Sequence, residues 1–139
     1  MRLLFIILLF AVSNTSAAPC TSEVTEDFGI FFAKFSEDKS FAVNRTLYPT
    51  YIEQHKYGIE NGKEAHSSIK TKVTKSTDLA TPTITEILRK KNMESKVKSL
   101  TIKNAVVEVF KPDTDWLLSY HFMVRGSCWY LHHIEDHSL

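Results

Sequence analysis

"DWLLSYHFMVRGSCWYLHHIED", residues 115–136, decides the fold. Two runs of strand length, rich in aromatic and branched residues, flank Gly126-Ser127. Such residues suit a pleated, half-buried surface, and Gly-Ser suits a tight turn, so the stretch predicts a β-hairpin. On its first strand Trp116, Leu118, Tyr120, Phe122 and Val124 alternate onto one face. On its second, regular alternation puts Trp129, Leu131 and His133 on one face, with Tyr130, His132 and Ile134 on the other. The neighbouring histidines are then expected to point apart. With no familiar zinc spacing either, no metal site is expected. The polar end of this strand reads as the point where it leaves the core.

Working outward, "KSLTIKNAVVEVFK" (98–111) reads as one more strand, ended by Pro112-Asp113. Glu108 interrupts its apolar run and shares a face with Ile102, Asn104, Val106 and Phe110. "TPTITEILRKKN" (81–92) predicts a short helix, with Thr81 as N-cap, Pro82 in the first turn and three cations suiting its C-terminal end. "TYIEQHKYGIENGKEAHSSIKTKVTK" (50–75) predicts a hairpin about Asn61-Gly62, the favoured two-residue turn. Its strands are polar on both faces, which places it at an exposed sheet edge where lysines discourage pairing. "KSFAVNRTLYP" (39–49) predicts a second helix ended by Pro49. "TEDFGIFFAKFSED" (25–38) predicts the first, capped by Thr25, with Phe28, Phe31, Phe32 and Phe35 on one stripe. Helices followed by consecutive strands give an α+β domain, helices on one face of a bent antiparallel sheet.

The chain begins "MRLLFIILLFAVSNTSAAPC": a cation, the apolar run Leu3–Val12, then small polar residues. This is the layout of a secretory signal peptide, with cleavage expected after Ala17. Residues 18–139 then form one domain, periplasmic or extracellular. The apolar run is too short to span a bilayer, so no membrane span is expected in the mature chain. An oxidising destination makes a Cys20–Cys128 disulfide plausible, and two free thiols are the alternative. Beyond the leader the formal charge is zero, which argues against a nucleic-acid partner. The charge is unevenly spread: residues 61–111 carry net +6, and the segments on either side −3 each. Such a split can steer an oppositely charged protein.

The aromatic first helix "EDFGIFFAKF" and the closing pair "WLLSYHF" and "WYLHHIED" resemble the NTF2-like superfamily, and more narrowly its small exported bacterial domains of unknown function. The resemblance implies a cone, with a curved sheet wrapped around helices and a pocket at the wide end. Members of the superfamily catalyse acid–base reactions there, bind ligands, dimerise across the sheet, or act as immunity proteins.

Pocket candidates are then Glu108, Tyr120, His121, Phe122, Trp129, Leu131 and His133. Glu108 with His121 is the candidate acid–base pair, provided that they share a pocket. For a protein partner, Tyr51, His55 and Tyr57 offer aromatic contacts on the hairpin. Lys70, Lys72 and Lys75, with Arg89, Lys90 and Lys91, offer a basic surface. With no catalytic motif and no cofactor expected, the leading expectation is a non-catalytic binding protein, most concretely an immunity protein or inhibitor that binds a secreted toxin. The alternatives are a pocket for a small apolar ligand and, third, an acid–base enzyme. A homodimer is compatible with each.

Overall fold

A computed structural model describes residues 23–75 and 82–138. The leader, Cys20 and Thr81 lie outside the described residues. The chain runs α1 (Phe28–Glu37), α2 (Lys39–Asn44), β1 (Thr46–Glu60), β2 (Lys63–Val73), α3 (Ile84–Lys91), β3 (Glu94–Leu100), β4 (Asn104–Phe110), β5 (Leu117–Arg125) and β6 (Cys128–Asp136). The six strands form one sheet in the order β2-β1-β6-β5-β4-β3. The helices cover one of its faces, as an α+β domain requires. No helix among the described residues is long and apolar enough to cross a membrane.

The aromatic stripe folds as its spacing demands. Phe28, Phe31 and Phe35 are buried and Phe32 packs against them. Phe122 of β5 is the centre, with the rings of Phe28, Phe31, Phe32 and Phe35 standing edge-on to it at 5.1–5.9 Å. Edge-to-face pairs of this kind add to plain area burial. The cap is Asp27, not Thr25: its carboxylate accepts from the Ile30 amide at 2.9 Å.

Four further expectations need correction. First, the sheet is mixed. β1 and β6 run parallel, Tyr51 beside His133 and Ile52 beside Ile134, while every other pairing is antiparallel. Second, α2 stops at Asn44 and not at Pro49. Thr46 already pairs with Leu131, so Leu47, Tyr48 and Pro49 belong to β1. Third, α3 is capped by Thr83. Thr83 and Glu86 form a reciprocal capping box, and Pro82 precedes the helix. Fourth, the strand read over residues 98–111 is two strands. The chain turns at Thr101, whose hydroxyl accepts from the amides of Lys103 and Asn104. A threonine-built turn carries no Gly or Pro signal.

The Asn61-Gly62 hairpin is as predicted. Both residues take positive φ (52° and 77°), and Glu60 pairs with Lys63. β2 is an edge strand, exposed along nearly its whole length.

Arg45, at the end of α2, fastens the N-terminal segment to β6. Its guanidinium donates to Glu26 (2.8 and 3.3 Å) and to the Trp129 carbonyl (3.2 Å). It also stacks over the Phe41 and Tyr130 rings. Glu26 accepts from the Trp129 amide as well, and its own carbonyl accepts from the Trp129 indole at 2.8 Å. Cys128 opens β6 and is buried; its expected partner Cys20 lies outside the described residues.

Candidate functional site

Register decides which side chains share a face. Ala105, Val107, Val109, Leu118, Tyr120, Phe122, Leu131 and Ile134 point to the helices. The residues between them point away, onto a sheet face that no helix among the described residues covers. These two faces offer two candidate sites.

The helix-side site is an apolar cleft of about 290 Å³ between α3 and the sheet. Ile52, Ile87, Trp116, Leu118, Tyr120 and Ile134 wall it, with Glu86, Lys90, Lys91 and Asp136 as its charged residues. Lys91 Nζ stands 5.0 Å from the centre of the Trp116 ring. A smaller cavity of about 30 Å³ adjoins it, sharing Tyr120, Ile134 and Pro82 and reaching Phe35 and Leu131. Burial, together with the Asp136 charge, pushes the Tyr120 phenol well up. Tyr120 therefore brings to the cleft a neutral hydroxyl able to donate, and not a base.

The open-face site was not foreseen. A β-bulge between β5 and β6 breaks the alternation at His132: Phe122 pairs with Leu131, but His121 pairs with His133. Trp129, Leu131 and Ile134 consequently share the helix side, while His133 turns to the open face. The two neighbouring histidines do not point apart; their rings lie near-parallel at 6.5 Å.

All six histidines of the chain gather there in two triplets. His55, His66 and His137 form the first. His55 Nδ1 lies 2.9 Å from His66 Nε2, and the His55 and His137 rings stack at 4.1 Å. His121, His132 and His133 form the second, with centroids 5.3–6.5 Å apart. Glu135 joins them, 3.3 Å from His137 Nε2, 3.3 Å from His121 Nε2 and 3.6 Å from His133 Nε2. His133 also lies 3.6 Å from Glu53, which pairs with Lys70 at 3.5 Å. Tyr57 Oη meets His137 Nδ1 at 3.0 Å. Two trios, His55–Glu135–His137 and Glu53–His133–Glu135, each hold three donor atoms within 4.8 Å of one another, close enough to share one metal ion.

Titration on this face follows from its crowding. Burial holds His132 and His133 below the ordinary histidine value, helped by the neighbouring histidines. For Glu135 burial pushes the carboxyl up, but hydrogen bonds from His137 and His121 and the surrounding histidine charges outweigh it and hold it low. Glu53 is held low by hydrogen bonding to Ser68 and by Lys70, against a smaller opposing effect of burial.

The predicted site residues divide between the two faces. Tyr120 lines the cleft and Leu131 the adjoining cavity, whereas Phe122 and Trp129 are interior packing. Glu108, His121 and His133 lie on the open face. The proposed Glu108–His121 pair is not made. Glu108 is clamped by Lys96 at 3.1 Å and Lys98 at 2.6 Å. Burial pushes its carboxyl up, but these two cations outweigh it and hold it low, as an ion pair and not as a poised base. The proposed basic surface also divides. Lys70 and Lys72 share the open face with Tyr51, His55 and Tyr57, while Arg89, Lys90 and Lys91 belong to α3 on the other side. Sequence reasoning did not single out Glu53 or His66, and it read Glu135 and His137 only as the polar end of the last strand. The Asn61-Gly62 turn was the available signal, since it sets Tyr57 opposite His66.

No family model matches the chain, and no curated protein matches it. Among solved structures it is similar to an NTF2-like protein from Bacteroides fragilis. The TM-score is 0.53 at 16% identity, over 87% of this chain and 51% of that one. The fold is NTF2-like. The chain spans about half the length of that relative. It is also similar to a de novo designed protein with a curved β-sheet, with a TM-score of 0.41 at 15% identity, over 78% of this chain and 91% of that one. In the NTF2-like cone described here, the cleft lies between helix and sheet, and the histidine array occupies the outside of the sheet.

Proposed function

We propose that this NTF2-like domain is an exported protein that binds a small, largely apolar ligand in the cleft between α3 and the sheet. The carrying observation is the cleft itself: six apolar or aromatic side chains converge on it, with two lysines among its charged residues. Its volume sits at the small end of ligand pockets, so the ligand is small. Lys90 and Lys91, matched by Glu86 and Asp136, give the cleft a charged rim that suits a ligand with one polar end, and the neutral Tyr120 hydroxyl can donate to it. Export rests on the leader-like residues 1–17, and it carries with it the proposed Cys20–Cys128 disulfide. The inhibitor reading drew on the split charge pattern, the lack of a catalytic motif and a basic surface formed by Lys70, Lys72 and Lys75 with Arg89, Lys90 and Lys91. The lysines behind it lie on opposite sides of the sheet, which favours the ligand.

Titrating the purified protein with 1-anilinonaphthalene-8-sulfonate, an apolar fluorophore with an anionic end, tests this. Wild type is expected to bind one equivalent saturably. Leu118→Trp, which fills the cleft, is expected to abolish binding with the fold retained by circular dichroism. Lys90→Ala/Lys91→Ala is expected to weaken it several-fold. Undiminished binding by a folded Leu118→Trp protein overturns the assignment.

A further inference from the structure

We propose that the open face of the sheet holds a divalent transition-metal ion of the zinc class, ligated by His55, His137 and Glu135. This site is independent of the cleft. Two imidazoles and a carboxylate are a donor set that suits zinc and its neighbours. A tetrahedral ion with bonds of about 2.0–2.2 Å spaces its donor atoms roughly 3.3–3.6 Å apart. Glu135 and His137 are already 3.3 Å apart, and the whole trio lies within 4.8 Å, so a small rotation of His55 closes it.

The surroundings argue for a ligand site over an ordinary polar sheet face. A metal-bound histidine characteristically has its second nitrogen held by a neighbour, which sets ring orientation and tautomer. Both histidines satisfy this: His55 Nδ1 is held by His66 at 2.9 Å and His137 Nδ1 by Tyr57 at 3.0 Å. That leaves each Nε2 for the ion. His55 Nε2 is buried and has no hydrogen-bond partner, an arrangement that proteins generally avoid. The two rings, His55 on β1 and His137 just past the end of β6, stack at 4.1 Å, so the donors start close together, and the rotation of His55 that closes the trio tilts its ring out of this stack. The second trio, Glu53–His133–Glu135, is the weaker competitor, because Lys70 already neutralises Glu53. Three protein donors leave a fourth position for water or another small donor.

The test uses the full chain, produced with its own leader and purified without a histidine tag. After removal of metal by a chelator, zinc chloride is titrated calorimetrically, and cobalt(II) in parallel for its tetrahedral d–d absorption. One equivalent is expected, with the cobalt band present. His55→Ala, His137→Ala and Glu135→Gln are each expected to weaken zinc at least about a hundredfold. His66→Ala and Tyr57→Phe, which only orient the ligands, are expected to weaken it about tenfold. His132→Ala, outside the trio, is expected to bind as wild type does. Circular dichroism and urea midpoints establish that each variant is folded. Absence of zinc binding by wild type overturns the proposal, as does unchanged affinity in folded His55→Ala and His137→Ala proteins. Loss of binding on Glu53→Gln or His133→Ala, with His55→Ala unaffected, overturns the choice of trio.

Discussion

The two faces of one sheet have opposite designs. On β5, Phe122 sits at the centre of four aromatic rings, and its neighbour His121 sits between histidines and the Glu135 carboxylate. One peptide bond separates a residue held by exclusion of water from one held by directional polar contacts. The helix face can tolerate exchanges of apolar groups of equal volume. The open face depends on particular atoms, and spacing errors there leave buried nitrogens without partners. Stability is therefore expected to live on the first face and specific chemistry on the second.

The sharpest test of this contrast is the neighbouring pair itself. Phe122→Ala is expected to lose about 3–5 kcal/mol of unfolding free energy, since it empties the centre of a packed aromatic cluster. His121→Ala is expected to lose less than about 1 kcal/mol. Equal losses in urea titrations of the two variants would end the distinction. Next in size is Glu26→Ala, which strips partners from the Arg45 guanidinium and the Trp129 amide and is expected to cost about 2 kcal/mol. Its thermal midpoint should fall without change in the cleft's affinity for an apolar probe.

Glu108 is the exception that sharpens the comparison, a buried carboxylate on the polar face. Lys96→Ala/Lys98→Ala is expected to cost about 1–2 kcal/mol, more than the two single losses combined, because either lysine alone keeps Glu108 paired. A double-mutant cycle that is strictly additive would show that the clamp is not shared. The smallest expected effect is that of pH. His132 and His133 titrate below the ordinary value of about 6.5 in the folded state. The unfolded chain therefore binds more protons than the folded one just below that pH, and stability should decline from there as pH falls through the folded values. Glu53 and Glu135, also held low, contribute stability above about pH 4.5 that disappears as pH falls through their folded values. Urea midpoints measured from pH 8 to 4 in the presence of chelator should thus decline in two stages. His133→Gln should shrink the first stage strongly and the second slightly, because His133 is one of the charges that hold Glu135 low.

Much of the helix-side architecture was legible, and the reason is periodicity. The Phe28–Phe35 stripe and the alternation of Trp116 to Val124 are long, regular and apolar, so spacing alone assigns their faces. β3 was missed because all of its residues are exposed, which leaves no pattern to see. The open-face site was legible only in pieces. His55, Tyr57, His121 and His133 were each singled out, but for roles on separate surfaces. Their meeting depends on the bulge at His132 and on the parallel pairing of β1 with β6. Neither leaves a local mark, since a bulge shifts alternation by one residue without altering composition.

The position of β6 has a consequence for how the protein comes into being. It follows the other five described strands in sequence and lies between β1 and β5, so among the described strands it is the one that joins the β2-β1 pair to the β5-β4-β3 set. A polypeptide still emerging from a ribosome or a translocation pore can close the β1–β2 hairpin and the β3–β4 hairpin, because both are local. It cannot unite them until residues 128–136 arrive. The Leu131 amide must then find the Arg45 carbonyl, its 2.8 Å partner across most of the chain's length. Contacts so distant in sequence form late and slowly. Until that strand docks, β1 and β5 each present an unpaired edge, the interval in which a holding chaperone would matter most.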